Sequence, residues 1–316
     1  MRHRLVDSPG TPSSGTSAWF PSLGGSWEGS RADTGGRSPG RRTRSRVRLF
    51  CVPHAGASAA AYRPWSRAAP EDVEVHPVEL PGRGSRSSEP PHRRLEEVAD
   101  GLCEALVTLL DTPYCLHGHS MGALIVFETA RRLRRRGMRQ PERLVVSGMV
   151  APPSWPSHPP LHTLSTSELL DQAGTVLGLP REITEDEDVR EMLLPVLRAD
   201  LELTETYRYQ HQDPGPPLGI PLTVLCGMSD PMAPAAHMER WARMTSERFS
   251  VHHFEGGHHF LHEHPGVLSA VLDGLGSPVP HVSKAGDTRC STTATDPTAQ
   301  TPNASRNGSD SRASTG

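Results

Sequence analysis

The chain has no long hydrophobic run, and its N-terminus lacks the short apolar core of a secretion signal. No stretch approaches the roughly 20 apolar residues that a membrane-spanning helix needs. Cysteine is also scarce: the five cysteines form no C-x-x-C pair and no regular spacing. An odd, unpatterned set of cysteines favours a reducing compartment over a disulfide framework. From these absences we expect a soluble, cytoplasmic protein.

A strong net charge is missing as well. The formal net charge of −3 over 316 residues argues against nucleic acid or a membrane surface as a partner. Arginine is nevertheless concentrated at residues 131–136, just before Gly137. Cations at a helix C-terminus complement the helix dipole, and glycine is common just beyond it. That explains the run, and a docking surface for an acidic partner is the alternative.

The two ends of the chain differ in composition from the middle. Residues 1–46 are rich in Ser, Gly, Pro and Arg, and residues 277–316 in Ser, Thr, Ala, Asp, Asn and Gly. Neither segment can bury enough apolar surface to offset its ordering entropy, so we predict that both are disordered. The N-terminal tail is interpreted as a solvated extension or as the result of a start codon placed too far upstream. Residues 47–276 have the length of one α/β domain.

Strand-like and helix-like segments alternate through this domain. Strands are predicted at residues 47–52, 73–78, 114–116, 144–147, 222–226 and 249–252. The alternation predicts an α/β fold with a mostly parallel central sheet and helices on both faces.

One insertion, at about residues 153–220, contains only helical patterns. One pattern begins near Ser165, and another runs from Asp186 towards Tyr207 through Pro195, which we expect to kink the helix. An inserted helical segment just before a catalytic loop predicts a lid, and a purely structural subdomain is the alternative.

The pentapeptide Gly118-His119-Ser120-Met121-Gly122 lies between a predicted strand and a predicted helix. G-x-S-x-G in that context is typical of a nucleophile elbow, a sharp turn that exposes a reactive serine at the rim of a sheet. A Gly-Ser turn without a catalytic role is the alternative.

A serine hydroxyl needs a base and an orienting acid, which follow in the order Ser, Asp/Glu, His in hydrolases with this elbow. Asp230 follows a predicted strand, and His258 follows the turn Gly256-Gly257 after the last strand. The sequence therefore predicts Ser120, Asp230 and His258 as a catalytic triad, with Asp200 as the next candidate acid.

The region around His258 is crowded with histidines. The others are His252, His253, His259, His262 and His264. A metal site built on this cluster with Glu263 is the alternative use, but no recognisable ligand spacing is present, so we predict no metal. The backbone N–H groups of Met121 and of Ala55, in the loop after the first strand, are predicted to form the oxyanion hole.

Five segments of the chain, in this order, carry a family resemblance: Phe50–Ala57, Glu79–Gly84, Gly118–Gly122, Leu194–Asp200 and Gly256–Leu261. Together they resemble the discrete type II thioesterases of polyketide and non-ribosomal peptide assembly lines, which have the α/β-hydrolase fold. The resemblance covers about residues 47–275. Two positions depart from it: Ala57 replaces a frequent glycine, and His259 replaces a frequent aromatic residue.

The resemblance implies the same triad and oxyanion donors, and it places residues 194–207 in a helical lid beside an acyl channel. It implies hydrolysis of acyl thioesters from the phosphopantetheine arm of carrier proteins, which edits stalled or misprimed assembly lines. No cofactor is expected, because phosphopantetheine arrives with the substrate. The expected partners are acyl or peptidyl carrier domains, and the expected state is a monomer. A chain-releasing thioesterase, a carboxylesterase and a non-catalytic docking module of the same fold are the alternatives.

Overall fold

The computed structural model describes residues 14–23, 47–155, 159–175, 186–209, 215–273 and 275. All of the predicted strands are present, and they form one parallel sheet of six strands in the order β2-β1-β3-β4-β5-β6. Their bounds are β1 Val47–Val52, β2 Val73–Pro77, β3 Tyr114–His119, β4 Arg143–Ser147, β5 Leu222–Gly227 and β6 Phe249–Phe254. The predicted parallel sheet is therefore confirmed, with strand ends that differ by a few residues.

The described helices cover both faces of this sheet. They are α1 Ser14–Trp19, α2 Arg63–Ala68, α3 Leu95–Leu106, α4 Met121–Arg135, α5 Thr166–Thr175, α6 Glu187–Thr206, α7 Ala235–Met238, α8 Phe260–Glu263 and α9 Gly266–Leu272. Helices α3 and α4 contribute to the apolar core on one face, whereas α2, α8 and α9 contribute to a second core on the other. This arrangement confirms the predicted layers of an α/β fold.

The predicted lid contains α5 and α6. Ser165 and Glu168 cap α5 reciprocally: the Ser165 N–H donates to the Glu168 carboxylate, and the Glu168 N–H donates to the Ser165 hydroxyl. Asp186 caps α6 by accepting from the Val189 N–H, and the helix continues through Pro195. A small apolar cluster joins the lid helices to the loop after β1 through Leu161, Leu169, Leu197, Leu201 and Ala55. The predicted lid thus packs directly beside the predicted oxyanion loop.

The N-terminal segment corrects one prediction. Within the predicted disordered stretch 1–46, residues 14–23 form α1 and a short turn that pack on the core, with Phe20 fully buried against Phe50. The Trp19 carbonyl accepts the Glu79 N–H at 2.9 Å. Average composition missed this segment because two adjacent aromatic side chains bury enough apolar surface to order a short helix. Because residues 14–23 pack on the core, we interpret this part of the N-terminal segment as part of the folded domain.

Phe20→Ala should lower the free energy of unfolding by about 3–5 kcal/mol, because a fully buried aromatic side chain is removed and a cavity is left. Ser17→Ala, on the same short helix, should change it by less than about 0.5 kcal/mol. Urea denaturation of the full chain measures both. A Phe20→Ala protein as stable as the Ser17→Ala protein would show that the segment does not pack on the core.

The arginine run at the end of α4 is only partly solvent-facing. Arg131 and Arg132 are buried and form ion pairs with Glu128 on the same helix. The Tyr207 hydroxyl donates to the same carboxylate at 2.6 Å and ties the end of α6 to α4. Gly137 follows the helix with a φ of 64°, as predicted for a C-terminal glycine. Because two of its arginines are paired inside the protein, the run is less suited to dock an acidic partner.

Two expectations about compartment can be compared with the described residues. Cys51, Cys103, Cys115 and Cys226 are all buried free thiols. Among the helices that the structure describes, none has the length and apolarity required to cross a bilayer.

Candidate active site

Ser120 lies at a sharp turn between β3 and α4. Its backbone φ of 53° is, within the described ranges, the one positive φ outside glycine. A β-carbon on Gly118 would lie 2.1 Å from the Gly122 carbonyl oxygen, and one on Gly122 would lie 2.2 Å from the Val52 carbonyl oxygen. Only glycine permits these approaches, so the G-x-S-x-G spacing follows from the packing of helix against strand. The strained backbone of Ser120 holds its side chain at the carboxyl edge of the sheet.

The structure brings the three predicted triad residues together. The His258 Nε2 atom lies 3.0 Å from the Ser120 Oγ atom. The His258 Nδ1 atom lies 2.9 Å from the Asp230 Oδ2 atom. All three side chains are buried, with relative exposures of 7%, 6% and 4% for Ser120, His258 and Asp230. The arrangement matches a nucleophile, a base and an orienting acid in one hydrogen-bonded chain.

The loop after β5 fixes the carboxylate of Asp230. Its Oδ1 atom accepts the N–H groups of Met232 and Ala233, at 2.9 and 3.2 Å. This leaves Oδ2 directed at the His258 ring. The local turn therefore orients the carboxylate independently of the histidine.

The two predicted oxyanion donors lie on the segments expected of them. Met121 is the first residue of α4, directly after Ser120, and Ala55 follows β1, whose last residue pairs with Gly118. The next N–H group, that of Gly56, donates to the Asp200 carboxylate at 2.8 Å. Since Gly56 is already engaged, Ala55 remains the predicted donor on this loop, with Met121 as the second.

Sequence reasoning missed a buried ion pair beside this loop. Both Arg83 and Asp200 are buried, and two guanidinium nitrogens of Arg83 lie 2.5 and 2.7 Å from the Asp200 carboxylate oxygens. Asp200 is on the lid helix α6 and also accepts from Gly56, so one carboxylate joins the lid to the oxyanion loop. Asp200 is thus engaged away from His258, and Asp230 remains the predicted acid of the triad. The sequence shows a charged residue in each of two distant segments, but no local pattern indicates that Arg83 and Asp200 form a pair.

A second missed residue is His119, which precedes the serine. Its ring lies 5.1 Å from the His258 ring, and its Nδ1 atom lies 2.8 Å from the Ser147 hydroxyl. Burial, reinforced by the neighbouring histidines, holds the pKa of His119 well below its ordinary value. A neutral side chain therefore packs against the imidazole of His258, the predicted base.

His117 lies on β3, two residues before His119. Its burial leads to a measurable pH dependence of the free energy of unfolding. It is fully buried against Trp65, and burial lowers its pKa to about 3. In the unfolded chain a histidine takes up a proton near pH ~6.5, so the unfolded state binds more protons and stability falls as the pH drops below that value. At about pH 5.5 this group should cost about 1.4 kcal/mol of stability relative to about pH 7.5.

His117→Gln removes this titration. Unfolding free energies of both proteins at the two pH values should show a smaller acid-induced loss in the variant, by about 1.4 kcal/mol. Equal losses in the two proteins would contradict the assignment.

Comparisons with known proteins agree on one family. A family model described as "Thioesterase domain" matches residues 47–275. Linear gramicidin dehydrogenase LgrE of Brevibacillus parabrevis is 39% identical over 239 residues, which cover 75% of this chain and 90% of LgrE. The RedJ thioesterase of the prodiginine pathway in Streptomyces coelicolor matches with a TM-score of 0.68 and 36% identity, over 82% of this chain and 92% of RedJ. BorB, a type II thioesterase from the borrelidin biosynthetic cluster, matches with a TM-score of 0.67 and 36% identity, over 75% of this chain and 94% of BorB.

Proposed function

The chain belongs to the thioesterase domain family, with the α/β-hydrolase fold of that family, and is a thioester hydrolase. From this membership we propose that it removes acyl groups from the phosphopantetheine arm of carrier proteins in a polyketide or non-ribosomal peptide assembly line. The observation that carries the proposal is the hydrogen-bonded chain from Ser120 through His258 to Asp230.

The geometry supports acyl transfer to the serine. His258 Nε2 takes the hydroxyl proton of Ser120 as its oxygen attacks the thioester carbonyl, and Asp230 stabilises the imidazolium that forms. The tetrahedral oxyanion accepts hydrogen bonds from the backbone N–H groups of Met121 and Ala55. Collapse expels the pantetheine thiolate, which takes the proton from His258, and leaves an acyl-serine. Water, deprotonated by His258, then releases the free acid and restores the serine.

The triad and the two backbone N–H groups supply every proton transfer and hydrogen bond in this mechanism. We therefore propose that hydrolysis needs no metal or bound cofactor, since the nucleophile, base and oxyanion donors all come from the chain. The phosphopantetheine enters with the carrier protein, which is the proposed partner. Free buried thiols at Cys51, Cys103, Cys115 and Cys226 support a cytoplasmic location. We propose that the protein acts as a monomer.

An editing role is favoured over chain release. LgrE is matched over 90% of its own length, so this relative has about the size of one thioesterase domain. BorB is described as a type II thioesterase. The name of LgrE refers to a dehydrogenase, but the hydrogen-bonded Ser120, His258 and Asp230 support hydrolysis here. We propose that the protein clears short or aberrant acyl groups that stall a synthase.

The test loads one carrier protein with acetyl, medium-chain or long-chain acyl groups and follows its intact mass with time. The proposal predicts return of the carrier to its free phosphopantetheine form, fastest with short acyl groups. A simple oxygen ester of the same acid serves as the comparison. Faster hydrolysis of the oxygen ester than of the carrier-bound thioester would assign the protein to the carboxylesterases instead.

A further inference from the structure

Histidines from two distant parts of the chain meet beside the triad. His54 lies on the loop after β1, whereas His259 directly precedes α8 and His262 is the third residue of that helix. One ring nitrogen from each of these histidines lies within 4.8 Å of those of the others. The ring centroid of His54 is 4.9 Å from that of His259 and 5.8 Å from that of His262. The fold thus gathers three imidazoles around one point.

We propose that His54, His259 and His262 bind a Zn²⁺ ion, and that occupancy of this site slows hydrolysis. Imidazole nitrogen is a preferred zinc ligand, with Zn–N distances of about 2.0–2.1 Å. Ligand nitrogens at the corners of such a tetrahedron lie roughly 3.4 Å apart, so a separation at the 4.8 Å limit has to shrink by up to about 1.4 Å. The His262 side chain is exposed and can make part of this approach by rotation about its own bonds, and the His54 and His259 side chains make the rest.

The donor set selects among metals. Three nitrogen ligands suit Zn²⁺, Cu²⁺ or Ni²⁺, whereas Mg²⁺ and Ca²⁺ require oxygen ligands. Three histidines also leave the fourth tetrahedral position for a water molecule. Zn²⁺ accepts a tetrahedral arrangement of these ligands, whereas Cu²⁺ and Ni²⁺ prefer a planar one, so Zn²⁺ fits this set best.

The position of the site explains why a bound ion affects catalysis. His54 precedes Ala55, the predicted oxyanion donor, and His259 follows His258, the predicted base. Drawing His54 and His259 towards one ion therefore also moves Ala55 and His258, their neighbours in the chain. A misplacement of about 1 Å in an active site can cost roughly 10²-fold in rate. We expect saturating Zn²⁺ to lower turnover at least about tenfold.

No local spacing of residues in the sequence indicates this site. The histidines near His258 have no recognisable ligand spacing among themselves or with Glu263, and His54 is separated from them by most of the domain. His259 is also one of the two positions at which the chain departs from the family resemblance. The site is thus a property of the fold.

The test titrates ZnCl₂ into metal-free wild-type protein, His262→Asn and His253→Asn by isothermal calorimetry. His262 is exposed and outside the triad, and His253 is another exposed histidine, on β6, that serves as the matched control. Wild type and His253→Asn should bind one ion with the same affinity. Removal of a group that only hydrogen-bonds to a metal ligand costs about 10–100-fold in metal affinity. Removal of the His262 ligand itself should therefore weaken binding at least about tenfold.

Activity is measured in parallel on an acyl-loaded carrier protein. Without metal, His262→Asn should match the wild type, and with metal it should need at least about tenfold more Zn²⁺ for the same inhibition. Equal zinc affinity in wild type and His262→Asn, or stoichiometric binding without slower turnover, would overturn the proposal. Repeating the calorimetry on Ser120→Ala protein keeps the result independent of the proposed function, because metal binding does not require the nucleophile.

Discussion

Ser120→Ala should remove hydrolysis of carrier-bound thioesters, with a fall in kcat on the order of 10⁶-fold. The His258 imidazole then has no hydroxyl to deprotonate, and the oxyanion hole alone gives only a small residual rate. Alanine has the same β-carbon as serine, so the strained backbone at φ 53° is unchanged and the fold should persist. Turnover is followed by intact mass of the acyl-carrier protein, with thermal unfolding as the check on folding.

Ser229→Ala is the matched control for this experiment. Ser229 is exposed on the loop that carries Asp230, and its backbone N–H, which donates to Gly256, survives the substitution. This variant should keep wild-type turnover. If Ser120→Ala retained even one part in about 10² of the wild-type rate, the nucleophile would have to be another residue.

Asp230→Asn is expected to lower kcat by about 10⁴-fold while leaving the fold intact. The asparagine carbonyl can still accept the N–H groups of Met232 and Ala233, which hold the loop. Its amide N–H₂ group, however, then faces the His258 Nδ1 atom and makes that atom an acceptor. The proton moves to Nε2, and the imidazole can no longer accept the proton of Ser120.

Measurement of kcat together with thermal unfolding separates this effect from misfolding. A variant that unfolds at the wild-type temperature but turns over slowly supports the tautomer argument. Turnover within about tenfold of wild type would mean that Asp230 does not orient the base. Asp200 would not replace it, since its carboxylate is bound to Arg83 and Gly56.

Local patterns in the sequence were sufficient for the sheet and for the convergence of the triad. Each predicted strand carries a short apolar run, and parallel strands end at the same edge, which brings the loops of Ser120, Asp230 and His258 together. Capping residues also marked α5 and α6, because Ser165 and Asp186 satisfy N–H groups at the helix starts. These features depend on neighbours in sequence or on strand direction alone.

Features that depend on pairs far apart in sequence could not be predicted. The contact of Phe20 with Phe50 orders a segment whose average composition is polar. The pairing of Arg83 with Asp200 depends on where the lid helix packs. His54 reaches the histidines of α8 only because β1 and β6 end at the same edge of the sheet. In each case tertiary packing, rather than local propensity, decides the partner.

Covalent labelling with a fluorophosphonate is the most direct test of the claim that His258 and Asp230 activate Ser120. The reagent phosphonylates a serine whose proton is accepted by a neighbouring base. Peptide mass spectrometry should find the label on the peptide that contains Ser120, and His258→Ala should slow labelling at least about 10³-fold. A label on a different residue, or Ser120 labelled equally fast in wild type and His258→Ala, would contradict the claim.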